Sequence, residues 1–235
     1  MKKQLLKGVL AAVAGIGLLA GIAMATPLQD TLNGITVGGT SSVNAETDMI
    51  SDGQDAYWNI TASGGSLATM IINIGGLGSG ATFGIYDSAN ANNYVQLFSG
   101  SNTTGNQTSV AIDTNGAVFV AFNDTGVSFT GGTFGYYVTL NGVTYYSDST
   151  LNDGVDHMLA FQGNNKDLVQ IGKWNSGIWT NNEYVLAFET GTDFDFNDLV
   201  VMVESVNPVP EPATMLLFGA GLLGLAGVAR RRSSN

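Results

Sequence analysis

The sequence predicts an all-β fold, a β-sandwich or jelly-roll-like domain held between two apolar terminal segments. Three observations carry this expectation. Short runs rich in Val, Ile, Phe, Tyr and Thr recur between residues 56 and 206, separated by clusters of Gly, Asn, Asp and Ser, a spacing that suits antiparallel sheets and not strand–helix–strand units. No segment outside the termini holds about ten residues of helical periodicity. Asn141-Gly142, between two aromatic-rich runs, spells a tight hairpin, since both residues tolerate positive φ.

The strands are expected at 57–61, 68–74, 82–86, 94–98, 110–112, 117–122, 134–140, 143–146, 158–161, 184–188 and 199–203. Ahead of them, residues 26–55 are polar and read as a flexible arm, with one strand near 34–37. Thr82-Phe83-Gly84-Ile85-Tyr86 is echoed by Thr133-Phe134-Gly135-Tyr136-Tyr137. Two related strands produce such an echo, and so does chance.

The two ends read as processing segments. Lys2, Lys3 and Lys7 precede the apolar run 9–22, and Ala23-Met24-Ala25 fits the small-x-small site of signal peptidase. Residues 1–25 are therefore expected to be a cleaved signal peptide, the alternative being an uncleaved anchor. At the other end, Val209-Pro210-Glu211-Pro212 leads into 213–229, seventeen residues without a charge, and then Arg230, Arg231 and Arg232. As a helix this run is about 25 Å long, at the lower limit for spanning a hydrocarbon core. The arginines belong on the cytoplasmic side, which puts the domain outside.

This order at residues 207–235 resembles the PEP-CTERM sorting signal of Gram-negative bacteria. The resemblance implies an inner-membrane-anchored precursor cut near the motif by an exosortase. It also implies final placement at the cell surface or in an extracellular matrix, usually alongside exopolysaccharide.

Once both ends are set aside, the charge balance changes. Residues 26–212 keep only Lys166 and Lys173 against all nineteen acids, a net −17 where the whole chain has −11. Such a field repels nucleic acid and anionic lipid and attracts cations. The chain has no cysteine, so disulfides, thiol nucleophiles and cysteine-based metal sites are excluded, and the fold rests on its own core or on metal.

The densest constellation is Gly191-Thr192-Asp193-Phe194-Asp195-Phe196-Asn197-Asp198. In extended chain, Asp193, Asp195 and Asn197 project to one side about 7 Å apart, with Phe194 and Phe196 facing a core. The polar phase breaks at Asn197-Asp198, where a bend is expected. Clustered carboxylates with so few lysines suit a hard cation, Ca2+ above all. The candidate metal residues are Glu189, Asp193, Asp195, Asn197 and Asp198. An EF-hand is excluded, because position 6 is Asp198 instead of Gly and a β-branched run follows. The alternative is a solvated acidic turn.

With Tyr146-Ser147-Asp148, Asp156-His157-Met158 and Phe188-Glu189, this stretch also resembles a bacterial domain of unknown function found in exported proteins. That likeness spans 134–204 and ends in a GxDxDxND-type signature, which implies no enzymatic activity.

His157 is the single histidine, and a structural role is expected for it. Trp58, Trp174 and Trp179 are candidates for sugar stacking if exposed. No HExxH or GxSxG occurs, and the GxGxxG spelling at 219–224 lies inside the C-terminal apolar run. The expectation is a non-catalytic, calcium-stabilised structural or adhesin-like matrix protein. A carbohydrate-binding module for exopolysaccharide is the alternative, and a glycosidase comes third.

Overall fold

The computed structural model describes residues 25–72 and 80–210. The antiparallel β class holds. One sheet runs β15 (Val206–Val209), β1 (Tyr57–Ile60), β8 (Thr133–Leu140), β3 (Thr82–Asp87), β4 (Asn90–Ser99), and β9 (Val143–Tyr146) also pairs with β8. The second runs β10 (Met158–Gln162), β13 (Glu183–Phe188), β14 (Leu199–Glu204), β2 (Ser66–Ile72), β5 (Gln107–Ile112), β6 (Ala117–Val120), β7 (Asn123–Ser128). A ribbon of β11 (Leu168–Val169) and β12 (Gly177–Ile178) lies apart. Each strand expected between residues 57 and 203 is present, the 68–74 run being described to Ile72, and Asn141 and Gly142 take φ of 51° and 82° in the expected hairpin. The strand expected near 34–37 is not formed: a helix runs through Ile35, and only Thr36 makes a bridge, to Val169.

The sequence reading missed β7, β11, β12 and β15. β7 reads Asn-Asp-Thr-Gly-Val-Ser, too polar and Gly-broken to register, and β15 carries Pro208. Proline is tolerated there because β15 is a sheet edge. The chain changes sheets between β14 and β15 at Ser205, which takes φ of 59°.

Both sheets feed one core. Phe83, Ile85, Phe134 and Val138 meet Leu186, Phe188, Leu199 and Val201. Rings bridge the layers, with Phe83–Phe188 centroids 5.8 Å apart and Trp58–Tyr184 4.9 Å. Apolar burial of this kind stabilises by roughly 25 cal/mol per Å².

The alternate residues of the second sheet face a second core. Phe161, Val185, Ala187, Val200 and Met202 belong to it, together with Leu28, Leu32 and Ile35 of a helix, α1 (Ala25–Ile35). Strands covered on both sides lose the polar alternation of a half-exposed sheet, hence the continuous Tyr-Val-Leu-Ala-Phe and Leu-Val-Val-Met-Val.

The N-terminal segment therefore differs from the flexible arm expected for 26–55. Leu28, Leu32 and Ile35 stand at i, i+4 and i+7, one stripe of a helix, surrounded by polar residues that mask it in composition. Beyond α1 the segment is tied along its length. The Val37 N–H donates to Leu168 O at 2.7 Å, and the Ile50 N–H to Ala160 O at 2.8 Å. The Asp167 carboxylate accepts from both Ser41 Oγ and Ser42 Oγ, at 2.8 and 2.6 Å. Burial pushes Asp167 upward, but the Ser42 and Ser41 donors outweigh it and leave the group below its ordinary range. The folded unit thus reaches back well past residue 56.

A short helix, α2 (Asp52–Asp55), brings the carboxyls of Asp52 and Asp156 within hydrogen-bonding reach, just ahead of β10. Burial first, and then the neighbouring Asp52, raise Asp156 to about 7.

Two outcomes are expected. Leu32 is fully buried, so Leu32→Ala should lower the unfolding free energy by about 2–5 kcal/mol; a urea midpoint unchanged from wild type would mean that α1 does not belong to the core. Asp156 holds its proton up to about pH 7 when folded and releases it near pH 4 when unfolded. Between those values the folded state binds more protons, so stability falls as pH rises. Asp156→Asn should flatten the decline in melting temperature between about pH 5 and pH 8, and an unaltered pH profile would rule out this source.

Candidate functional site

The acidic residues sit in the loop 189–198, which closes the β13–β14 hairpin just beyond the Phe188–Leu199 pair. Its base is anchored in both directions. The Glu189 N–H donates to His157 O at 3.0 Å, and His157 Nδ1–H donates to Glu189 O at 2.9 Å. The His157 ring lies between Tyr145, 4.6 Å away, and Phe194, 6.0 Å away. His157 is therefore tied into structure, with Nδ1 committed to a backbone carbonyl.

The loop is not extended as the alternating pattern implies. Phe194 and Phe196 both take φ of 52°, so the chain coils left-handed at two phenylalanines. Side chains with a Cβ disfavour that region. Their burial explains the choice: Phe196 is 2% exposed in the second core and Phe194 packs partly buried beside it. The phenylalanines do face the core as expected. The bends come earlier than Asn197-Asp198 and draw the acids closer than an extended chain allows.

One carboxylate oxygen each from Glu189, Asp193 and Asp195 lies within 4.8 Å of the others. Asn197 Nδ2 donates to Asp195 Oδ2 at 2.7 Å, so Asn197 supports this cluster from beside it. Asp198 is held by its Oδ2, which accepts from the Thr190 N–H and Oγ1, both at 2.7 Å. The structure thus brings three of the five candidates together, with Asn197 and Asp198 as buttresses of the loop.

Glu189 is the unusual member, a fully buried carboxyl group. Its oxygens accept from the N–H groups of Gly191 and Phe196. Burial raises it to about 7 against the Gly191 donor, and the charges of Asp198 and Asp193 add to the rise. A Cβ at Gly191 would stand 2.9 Å from Glu189 Oε1 and 3.4 Å from Asp193 Oδ1. Glycine at 191 leaves that space to the oxygens. The donor set is all oxygen, and around a cation with bonds of about 2.4 Å two ligands stand at most about 5 Å apart. The residues present therefore fit a hard divalent cation such as Ca2+.

The tryptophans do not form a platform. Trp58 and Trp179 are fully buried, with indole N–H groups donating to Asp55 O and Glu183 O. Trp174 is partly exposed but pinned, its indole N–H donating to Gly105 O at 2.7 Å.

The processing residues fall mostly outside the described chain. Ala23, Glu211, Pro212 and Arg230 to Arg232 lie there, as do the signal-peptide core and the expected spanning run 213–229. Ala25 begins α1 and Pro210 is the last described residue. Among the described residues no helix is long and apolar enough to cross a membrane.

Val209 pairs with Tyr57 and Pro208 with Trp58 along the sheet edge, so the tail leaves directly from a hydrogen-bonded strand. A comparison with curated proteins returned no match. The family model of the PEP-CTERM protein-sorting motif matches residues 208–232. The chain carries that motif on a β-rich body, and with it the address of an exported, exosortase-sorted protein whose membrane-anchored precursor is processed toward the cell surface.

Proposed function

We propose that this protein is a non-catalytic, structural or adhesin-like component of an exopolysaccharide-containing extracellular matrix, with a calcium ion holding the loop 189–198. The observation that carries the export half is the sorting motif at 208–232. The N-terminal segment 1–25 serves as a signal peptide, cleaved after Ala25, and the exported domain is a β-sandwich. Support for the sandwich comes from aromatic contacts such as Phe83–Phe188, which link the two sheets.

The calcium half is supported by the convergence of Glu189, Asp193 and Asp195 in a domain with almost no basic side chains. A buried carboxylate must hold a proton, a donor or a cation to be tolerated. Above pH 7 Glu189 gives up its proton, and Ca2+ takes over the neutralising role. The ion then ties β13 to β14 and fixes Phe196 in the second core. Asn197 and Asp198 act by shaping the loop.

Two measurements test the reading. Intact-mass analysis of the protein from its host should find the C-terminus near Pro212 and not before Val209, because Val206–Val209 belongs to the sheet. An exported pool that retains Asn235 would refute processing.

Calcium should raise the stability of chelator-stripped protein by about 2.7 kcal/mol at a hundredfold excess over Kd, a melting shift of about 5 °C. Protons compete for Glu189, so the shift should be larger at about pH 8 than at about pH 6. Asp195→Asn should remove most of it while the protein stays folded. Magnesium at matched ionic strength controls for screening of the −17 charge. A calcium effect no greater than the magnesium one would return the loop to a solvated acidic turn.

A further inference from the structure

A hollow of about 290 Å³ lies on the outer face of the first sheet, the side turned away from the shared core. Tyr94, Tyr137 and Tyr146 form its aromatic lining, with Gln96, Thr139 and Thr144 beside them. None of the described residues that line it carries a charge, in a domain otherwise dense with carboxylates. That combination is the chemistry of a neutral saccharide site. Aromatic faces stack on sugar C–H surfaces, and amide and hydroxyl groups meet the sugar hydroxyls.

The hollow follows from the repeated Thr-Phe-Gly-x-Tyr sequence. β3 and β8 are antiparallel neighbours, in a register that sets Gly84 against Tyr137 and Tyr86 against Gly135. Each tyrosine therefore lies across the other strand's glycine. A Cβ at Gly84 would stand 2.8 Å from Tyr137 Cε1, and one at Gly135 would stand 2.2 Å from Tyr86 Cζ. The glycines leave room for both rings against the sheet, where Tyr86 and Tyr137 are buried and support the partly exposed tyrosines beside them.

Tyr94 then rises from β4 with its ring edge-on to Tyr137 at 5.4 Å, and Tyr146 of β9 packs on Tyr86 at 5.1 Å. Tyr94 is 58% exposed, a large ring without a cover among the described residues, while its neighbour Val95 is buried in the core. Gln96 stands exposed next to it, and Thr139 Oγ1 and Thr144 Oγ1 are 2.9 Å apart, bonded to each other.

We infer that this face binds a neutral saccharide chain, with the exposed Tyr94 ring and the half-buried Tyr146 as the stacking surfaces, the buried Tyr137 as the support that holds Tyr94 in place, and Gln96, Thr139 and Thr144 as hydroxyl partners. The net −17 of residues 26–212 disfavours an anionic polysaccharide in the same place. The site is separate in sequence from the loop 189–198 and uses none of its carboxylates. Its failure and the failure of the calcium reading are therefore independent.

The test uses the full chain and two panels of hexasaccharides, one neutral (glucose, mannose, galactose and N-acetylglucosamine oligomers) and one of uronic acids. Binding is measured by saturation-transfer NMR and titration calorimetry. At least one neutral oligomer should bind saturably, and the uronic acids should bind at least tenfold more weakly. Tyr94→Ala should weaken binding at least tenfold without moving the melting temperature, and Tyr94→Phe should keep most of it because the ring face survives. Gln96→Ala, at a second exposed position, gives the same reading if Tyr94→Ala proves unstable. The inference is overturned if no neutral oligomer binds, if uronic acids bind as well, or if Tyr94→Ala and Gln96→Ala both bind like wild type.

Discussion

Burial of β13 and β14 on both faces governs the rest of the molecule, because a strand with no solvent side must be covered twice. Tyr184, Leu186 and Phe188 face the layer shared with the first sheet, while Val185 and Ala187 face the one that α1 closes. A one-residue slip of either strand would exchange these two sets, so the register is fixed from both sides. The N-terminal segment is accordingly part of the fold. Without Leu28, Leu32 and Ile35, the side chains of Phe161, Val185 and Val200 would face water.

The same constraint shapes the acidic loop. Its first residue, Glu189, follows directly on a doubly covered strand and inherits that burial, whereas Asp193 is exposed. Phe196 has to return to the second core within the loop, and the left-handed residues Phe194 and Phe196 are how a short chain achieves it. Carboxylates are thereby drawn together at the edge of an apolar layer, where the effective dielectric is low and a neutralising partner counts for most. β9 connects this region to the outer face. Tyr145 packs on His157 beneath the loop, and the next residue, Tyr146, points the other way into the tyrosine-lined hollow.

At the C-terminal end, geometry couples the body to its sorting tail. The matched motif begins at residue 208, while Val206–Val209 is still paired to β1. No spacer separates the sheet from Val209-Pro210, so a processing enzyme must approach an edge strand that is already docked. Prolines at 208 and 210 carry no N–H, which suits the last strand of an edge and limits further pairing beyond it.

The sequence by itself determined the β class, the positions of the apolar strands and the Asn141-Gly142 hairpin, because each is written in local period and turn chemistry. It also determined the C-terminal sorting motif, whose elements are contiguous. It named Glu189, Asp193 and Asp195 as neighbours in composition. Only tertiary structure decided which carboxylates converge, since that depends on left-handed φ at two phenylalanines whose burial is set by a distant helix. The α1 stripe was present at 28, 32 and 35, but three apolar residues in a polar stretch become a core face only when a second sheet surface waits for them. The Thr-Phe-Gly-x-Tyr echo was visible too. Its meaning was decided by register, which set each glycine opposite the other strand's tyrosine and so made room for two buried rings on the outer face of the sheet.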